Sequence, residues 1–308
     1  MKRWSLIFGI CLSIFTVFVT LDTFVLSSSY AEATQMNMAM FAEESEETES
    51  STEETKSHRR SEKETEEEIT ENSETEDPIQ ITMNTYTAYG TTIYVADITL
   101  SSAEYLKTAF ANDTYGKNVT AKTSTIAEDH DAILAINGDY YGVQESGYVI
   151  RNGVLYRDKA NGSDVLCIYA DGTMEVVSDR DYTAEELIEK GVWQAFSFGP
   201  GLVEDCEITV SESDEVGKAM ASNPRTAIGI IDTNHFVFVV SDGRTSESEG
   251  LSLYQLATFM KDLGVTCAYN LDGGGSSTMV YQGEVINNPT TGGNRIKERG
   301  VSDIVYIG

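Results

Sequence analysis

The chain has 308 residues, with 50 acidic against 21 basic side chains and a formal net charge of −29. A surface this acidic excludes nucleic acid as a partner, because that binding depends on Lys and Arg neutralising phosphates. Three histidines and four cysteines, none at zinc-ligand spacing, leave little material for a Ser-His-Asp triad. No metal site and no cofactor are predicted.

Lys2 and Arg3 precede an apolar run from about Trp4 to Leu26. Its length is nearer the ~20 residues of a spanning helix than the ~7–15 of a secretory core. The two cations place the N-terminus inside. Residues 1–33 therefore read as a signal-anchor, holding a single-pass protein on the cell membrane with its bulk outside. The alternative is a signal peptide cleaved near Ala31-Glu32-Ala33, with the protein secreted. Residues 34–77 read as a spacer. Its 43–77 stretch holds sixteen acidic and four basic residues and nothing to bury, so it should stay disordered and self-repelling. With charges before it cancelling, −12 falls on the spacer and −17 on residues 78–308, which read as a single globular domain.

Within that domain residues 80–99 alternate as strands. Ser101-Ser102-Ala103-Glu104 has the form of a capping box and predicts a short helix to about Phe110. A second short helix is expected over about 123–130. The apolar run Ala132–Ile136 has strand length and ends in Asn137-Gly138-Asp139-Tyr140-Tyr141. Asn152-Gly153 and Asp171-Gly172 are hairpin turns. Thr183 caps a helix to about Lys190, and Gly199-Pro200-Gly201 interrupts an apolar stretch. Asn223-Pro224-Arg225-Thr226 leads into a strand, which a turn at 232–234 joins to another from Phe236 to Val240. Ser252 caps a helix whose Leu253, Leu256, Ala257, Met260 and Leu263 share one face. Only the run 236–270 has the form of a parallel crossover. A last strand covers about Val301–Ile307. Strands outnumber helices, so the expected class is α+β, one domain with a mixed, mostly antiparallel sheet. Cys167, Cys206 and Cys267 permit at most one bridge, and Cys167 and Cys267 sit in apolar runs where a small buried hydrophobe is expected.

Polar clusters fall at strand ends: Asn137/Asp139, Arg225/Thr226, Asp242/Arg244, Asp272–Ser277, and near the C-terminus Asn294, Arg295 and Arg299. The densest is Asn270-Leu271-Asp272-Gly273-Gly274-Gly275-Ser276-Ser277. Three successive glycines carry a large entropic cost, so their presence between strands means a backbone path or a close approach that a Cβ would block. A tight turn beside packed structure would also account for them. No Lys follows the glycines and no G-x-G-x-x-G occurs, which removes both nucleotide-loop readings. Carboxylates with arginines and backbone N–H groups suit a small anionic or polyhydroxylated ligand. Arg225 could equally form an interior ion pair with Asp242 or Asp272.

These motifs, in this order, resemble the phosphodiester glycosidase family over roughly 120–308: Asn137–Tyr141, Asn223-Pro224-Arg225-Thr226-Ala227-Ile228-Gly229, Asp242-Gly243-Arg244, Asn270–Ser277 and Arg299-Gly300-Val301. Asp139 stands where that family more commonly has glycine. The resemblance implies hydrolysis of a sugar C1–O bond to a phosphodiester, as in an N-acetylglucosamine-1-phosphodiester. The substrate would be a phosphorylated glycan or cell-wall polymer, in the envelope or scavenged. The leaving group is then already a stable anion, so charge stabilisation outweighs acid assistance. On that reading Asp272 is nucleophile or general base, with Asp242 second and Asp139 assisting. Arg225, Arg299 and the N–H groups of Gly273, Gly274, Gly275 and Ser276 meet the phosphate. Asn137, Asn270 and Ser277 hold sugar hydroxyls, with Gly138 and Thr226 beside them. A non-catalytic module binding phosphorylated glycans would use the same loops, and release of free sugar separates the two.

Overall fold

The structure is a computed structural model that describes residues 77–214, 222–293 and 295–308, with residues 12, 13, 15–17, 28 and 29 nearer the N-terminus. The expected anchor and spacer lie almost wholly outside the described residues, as does Asn294. Among the described residues no helix is long and apolar enough to cross a membrane.

Three sheets surround a common core. The largest has seven strands in the order Glu207–Ile208, Gly201–Glu204, Cys267–Asn270, Thr226–Asp232, His235–Ser241, Thr91–Leu100 and Ile79–Ala88. The second has Glu284–Val285, Met279–Tyr281, Leu134–Asn137, Asp303–Ile307 and Leu106–Phe110. The third has Met174–Ser178, Asp164–Tyr169, Val192–Phe196, Val149–Arg151 and Val154–Arg157. The period of two along each strand divides its side chains between two faces. Phe236, Phe238 and Val240 enter the shared core, with Leu134, Ile136, Leu166, Phe196 and Val305 from the other sheets. Val237 and Val239 point the other way, onto Leu253, Leu256 and Met260 of the helix Leu253–Asp262. The helix Thr123–Asp129 covers the second sheet through Ile126 and Ala127. The helix Ala184–Glu189 covers the third through Leu187 and Ile188. Each sheet thus buries one face inward and one under its own helix.

Both predicted caps at Thr183 and Ser252 close full capping boxes, with Glu186 and Gln255 answering. Asn152 and Gly153 are both left-handed, as a two-residue hairpin turn needs. The helix expected after Ser102 is not formed. Ser102 caps a single turn, Ala103–Tyr105, and Leu106–Phe110 is a strand paired with Asp303–Ile307. Pairing across the sheet satisfies this backbone and buries Leu106, which local capping preference does not outweigh. Every ladder among the described residues is antiparallel. The crossover over 236–270 exists, but Thr226–Asp232 lies between its two strands and pairs with both, so they run the same way without touching. The three cysteines Cys167, Cys206 and Cys267 are all free thiols, the first and last buried.

Candidate active site

The strand registers bring Thr226, Ser241 and Asn270 to one end of the large sheet, and Asn137, Met279 and Asp303 to one end of the second. Asn137 bolts these two ends together. Its Oδ1 accepts from Thr226 Oγ1 at 2.8 Å and from the Thr278 amide at 3.3 Å. Its Nδ2 donates to the carbonyls of Asp272 at 2.6 Å and Gly138 at 3.1 Å. Asn270 is a second tie, donating from Nδ2 to Gly199 O at 2.8 Å. Asn137, Asn270, Ser277 and Thr226 are all buried at these junctions, and Asn270 Oδ1 and Ser277 Oγ have no hydrogen-bond partner among the described residues.

Asp272 stands at the seam with its side chain 13% exposed. Oδ2 accepts from Arg299 Nη2 at 2.7 Å and from Ser276 Oγ at 2.6 Å. Arg299 Nε also donates to Ser276 Oγ at 2.9 Å, so carboxylate, hydroxyl and guanidinium form a closed triangle. Oδ1 makes no hydrogen bond among the described residues. Burial raises the Asp272 pKa above the ordinary carboxylate value; Arg299 and the Ser276 hydroxyl oppose this, and the charge of Asp139 adds to it.

The three glycines after Asp272 each answer a different constraint. A Cβ on Gly273 would lie 2.9 Å from Pro224 O. Gly274 is left-handed at φ +61°, and its Cβ would lie 2.8 Å from Arg244 Nη2. A Cβ on Gly275 would lie 2.6 Å from Thr291 Oγ1. Residues Gly274–Ser276 make one 3-10 turn. The expected cradle of amides is therefore half engaged: Gly274 N donates to Pro224 O at 2.7 Å and Ser276 N to Gly273 O at 3.3 Å.

Behind Asp272 lies a group of which the sequence reading foresaw Asp139 but not Arg151 or Asp303. Arg151, 1% exposed at the end of its strand in the third sheet, donates from Nε to Asp303 Oδ2 at 2.8 Å. Its Nη2 sits 2.8 Å from Asp303 Oδ2 and 3.0 Å from Asp139 Oδ2, off the line of a hydrogen bond to either. The guanidinium lies 4.1 Å over the Phe196 ring. Asp139 also accepts from the amides of Tyr141 at 3.0 Å and Ser197 at 3.3 Å. Burial pushes the Asp303 carboxyl up to about 8, with Asp139 and Asp272 adding and Arg151 opposing. Gly138 is glycine because a Cβ there would collide with the Asp303 carboxylate. The signal available in sequence was a lone charge in the apolar run Val149-Ile150-Arg151.

Asp242 is turned elsewhere. Its Oδ1 accepts from Asn288 N at 2.7 Å and its Oδ2 from Asn288 Nδ2 at 2.9 Å. It fixes the loop that carries Thr290 and Thr291 under Gly275. Arg225 is 3% exposed and donates from Nε to Leu251 O at 2.9 Å, supporting the chain that enters the last helix. Of the predicted carboxylates, the structure places Asp272 and Asp139 in one electrostatic group, which Arg299 touches. Alongside, a cavity of about 450 Å³ is lined by Phe198, Gly199, Pro200, Val210 and Leu253, among others. None of the charged residues of the Asp272 group lines it. Among the described residues no cluster of His, Cys, Asp and Glu is arranged to hold a metal ion.

The family model described as phosphodiester glycosidase matches residues 130–308. The SPbeta prophage-derived uncharacterized protein YomE of Bacillus subtilis (strain 168) is 34% identical over 175 residues, 56% of this chain and 26% of that protein. The human N-acetylglucosamine-1-phosphodiester alpha-N-acetylglucosaminidase is 28% identical over 186 residues, 55% of this chain and 36% of that protein. The catalytic domain of the zebrafish enzyme of that name, solved in a form auto-inhibited by its pro-peptide, superposes with a TM-score of 0.60 at 21% identity. That superposition covers 76% of this chain and 84% of the other, and shows a shared fold. The chain spans about a quarter to a third of the length of the curated relatives it matches.

Proposed function

The chain belongs to the phosphodiester glycosidase family, and on that premise we propose that it hydrolyses the sugar C1–O bond of glycosyl-1-phosphodiesters. The observation that carries this reading is the Asp272 triangle: one carboxylate oxygen pinned by Arg299 and Ser276, the other with no partner among the described residues, beside a cationic rim. In the proposed reaction the water oxygen bonds to C1 and the C1–O bond to phosphate breaks. The products are free sugar and a phosphate monoester, and the water proton passes to Asp272 and then to solvent. The leaving group departs as a stabilised anion, so a cation matters more than an acid. Arg299 serves there.

Asp272 delivers the oxygen to C1, by direct attack or by activating water. Retention or inversion at the anomeric carbon, read by NMR on fresh product, separates the two. Asp139 and Asp242 act as positioning residues in this assignment, because each carboxylate is already engaged by protein groups. The substrates proposed are N-acetylglucosamine-1-phosphodiester-like groups of envelope polymers or scavenged glycans. The domain would meet them outside the cytoplasm, carried on the acidic spacer. Asp272→Asn should lower sugar release from a synthetic sugar-1-phosphodiester by roughly 10²–10⁴-fold with the melting temperature retained. Full activity in that variant would remove Asp272 from the chemistry, and no release by the native protein would leave only a binding module.

A further inference from the structure

Arg244 takes no part in the reaction as assigned above, yet it is built into the rim of the same seam. Its backbone is left-handed at φ +63°, a conformation that costs a non-glycine residue about 1–3 kcal/mol and concentrates at functional positions. Its guanidinium is fixed rather than waving in solvent. Nη2 donates to Asn223 Oδ1 at 2.9 Å and Nε to the same oxygen at 3.2 Å. Asn223 is itself buried and paired with Leu251 through the backbone. The head group lies over the glycine turn, since a Cβ on Gly274 would sit 2.8 Å from Nη2 and 3.5 Å from Nη1.

Among the described residues Arg244 forms no ion pair, in a chain whose net charge is −29. Asp242, two residues away, turns its carboxylate to Asn288 instead. Arg299, over the next glycine, already shares its guanidinium with Asp272 and Ser276. Arg225 is buried. The neutral partner of Arg244 leaves its charge whole, and two of its five donors engaged on one oxygen leave Nη1 for a ligand.

We propose that Arg244 binds the non-bridging oxygens of the substrate's phosphodiester and thereby selects an anionic over a neutral leaving group. The assignment rests on the proposed phosphodiester reaction and adds a residue to it.

Two measurements on the full chain test it. In the first, inorganic phosphate is titrated against the melting temperature, with sodium chloride at equal ionic strength as control. Phosphate should stabilise the native protein, less so Arg244→Lys, and not Arg244→Gln. In the second, KM is compared for a sugar-1-phosphodiester and for a neutral aryl glycoside of the same sugar. Arg244→Gln should raise the first roughly 10- to 100-fold and leave the second unchanged. No phosphate effect in the native protein, the same effect in Arg244→Gln, or equal KM changes on both substrates would overturn the proposal. If neither sugar is released but phosphate stabilisation depends on Arg244, the anion site stands and the hydrolytic reading fails.

Discussion

Asp272 can act as a base or nucleophile only when ionised, and burial holds its carboxyl above the ordinary carboxylate range. The acid limb of kcat/KM should therefore lie above about pH 4, the usual value for an aspartate. Asp139 contributes to that upward shift. Asp139→Asn should move the limb to lower pH, and a pH–rate profile that stays in place would separate Asp139 from Asp272. The carboxylate of Asp272 was legible in sequence because three glycines follow it, and such a run needs a reason. Arg151 and Asp303 were not legible. A single charge in a strand ordinarily faces water, and only the meeting of three sheet ends reveals a guanidinium buried between two carboxylates. Asn137 and Asn270 were visible as polar strand-end residues but not as the ties they form, since a buried amide and a ligand-facing one are the same letter.

At the scale of elements, turns and caps dominated by local chemistry were readable: the Asn152-Gly153 hairpin and the capping boxes at Thr183 and Ser252. The segment Leu106–Phe110 was not, because its partner Asp303–Ile307 lies almost two hundred residues away and local preference is silent about it. The glycines of the loops belong here too. Gly138 joins its strand to the site only because the Asp303 carboxylate occupies the space of a Cβ. Gly138→Ala should destabilise the fold by about 1–3 kcal/mol, the usual cost of overpacking, measurable by urea denaturation. By contrast Gly283→Ala meets nothing within 4 Å and would be strained only by its positive φ of +81°. A smaller loss at Gly138 than at Gly283 would mean that the carboxylate moves aside freely.

For the whole molecule, the buried Arg151 group makes stability depend on pH. Asp303 holds its proton more tightly folded than unfolded, with its carboxyl raised from 3.8 to about 8. Its contribution is therefore complete at acid pH and is lost as pH rises from about 4 towards about 8. Asp303→Asn, which keeps the shape but not the titration, should flatten that dependence in melting curves taken across this range. An unchanged slope would place the titration elsewhere. The sequence alone determined what local composition controls: an acidic chain unsuited to nucleic acid, a strand-rich domain, and polar clusters at strand ends with Asp272 foremost. Periodicity, glycine placement and charge are written in neighbouring residues, so they survive without coordinates. The tertiary structure alone decided which of those polar residues face one another. Registers between strands far apart in the chain turn Asn137 into a bolt, place Arg244 and Arg299 over successive glycines, and set Asp139, Arg151 and Asp303 behind Asp272. Side-chain chemistry depends on burial and distance, and these arise only when the three sheets close on one core.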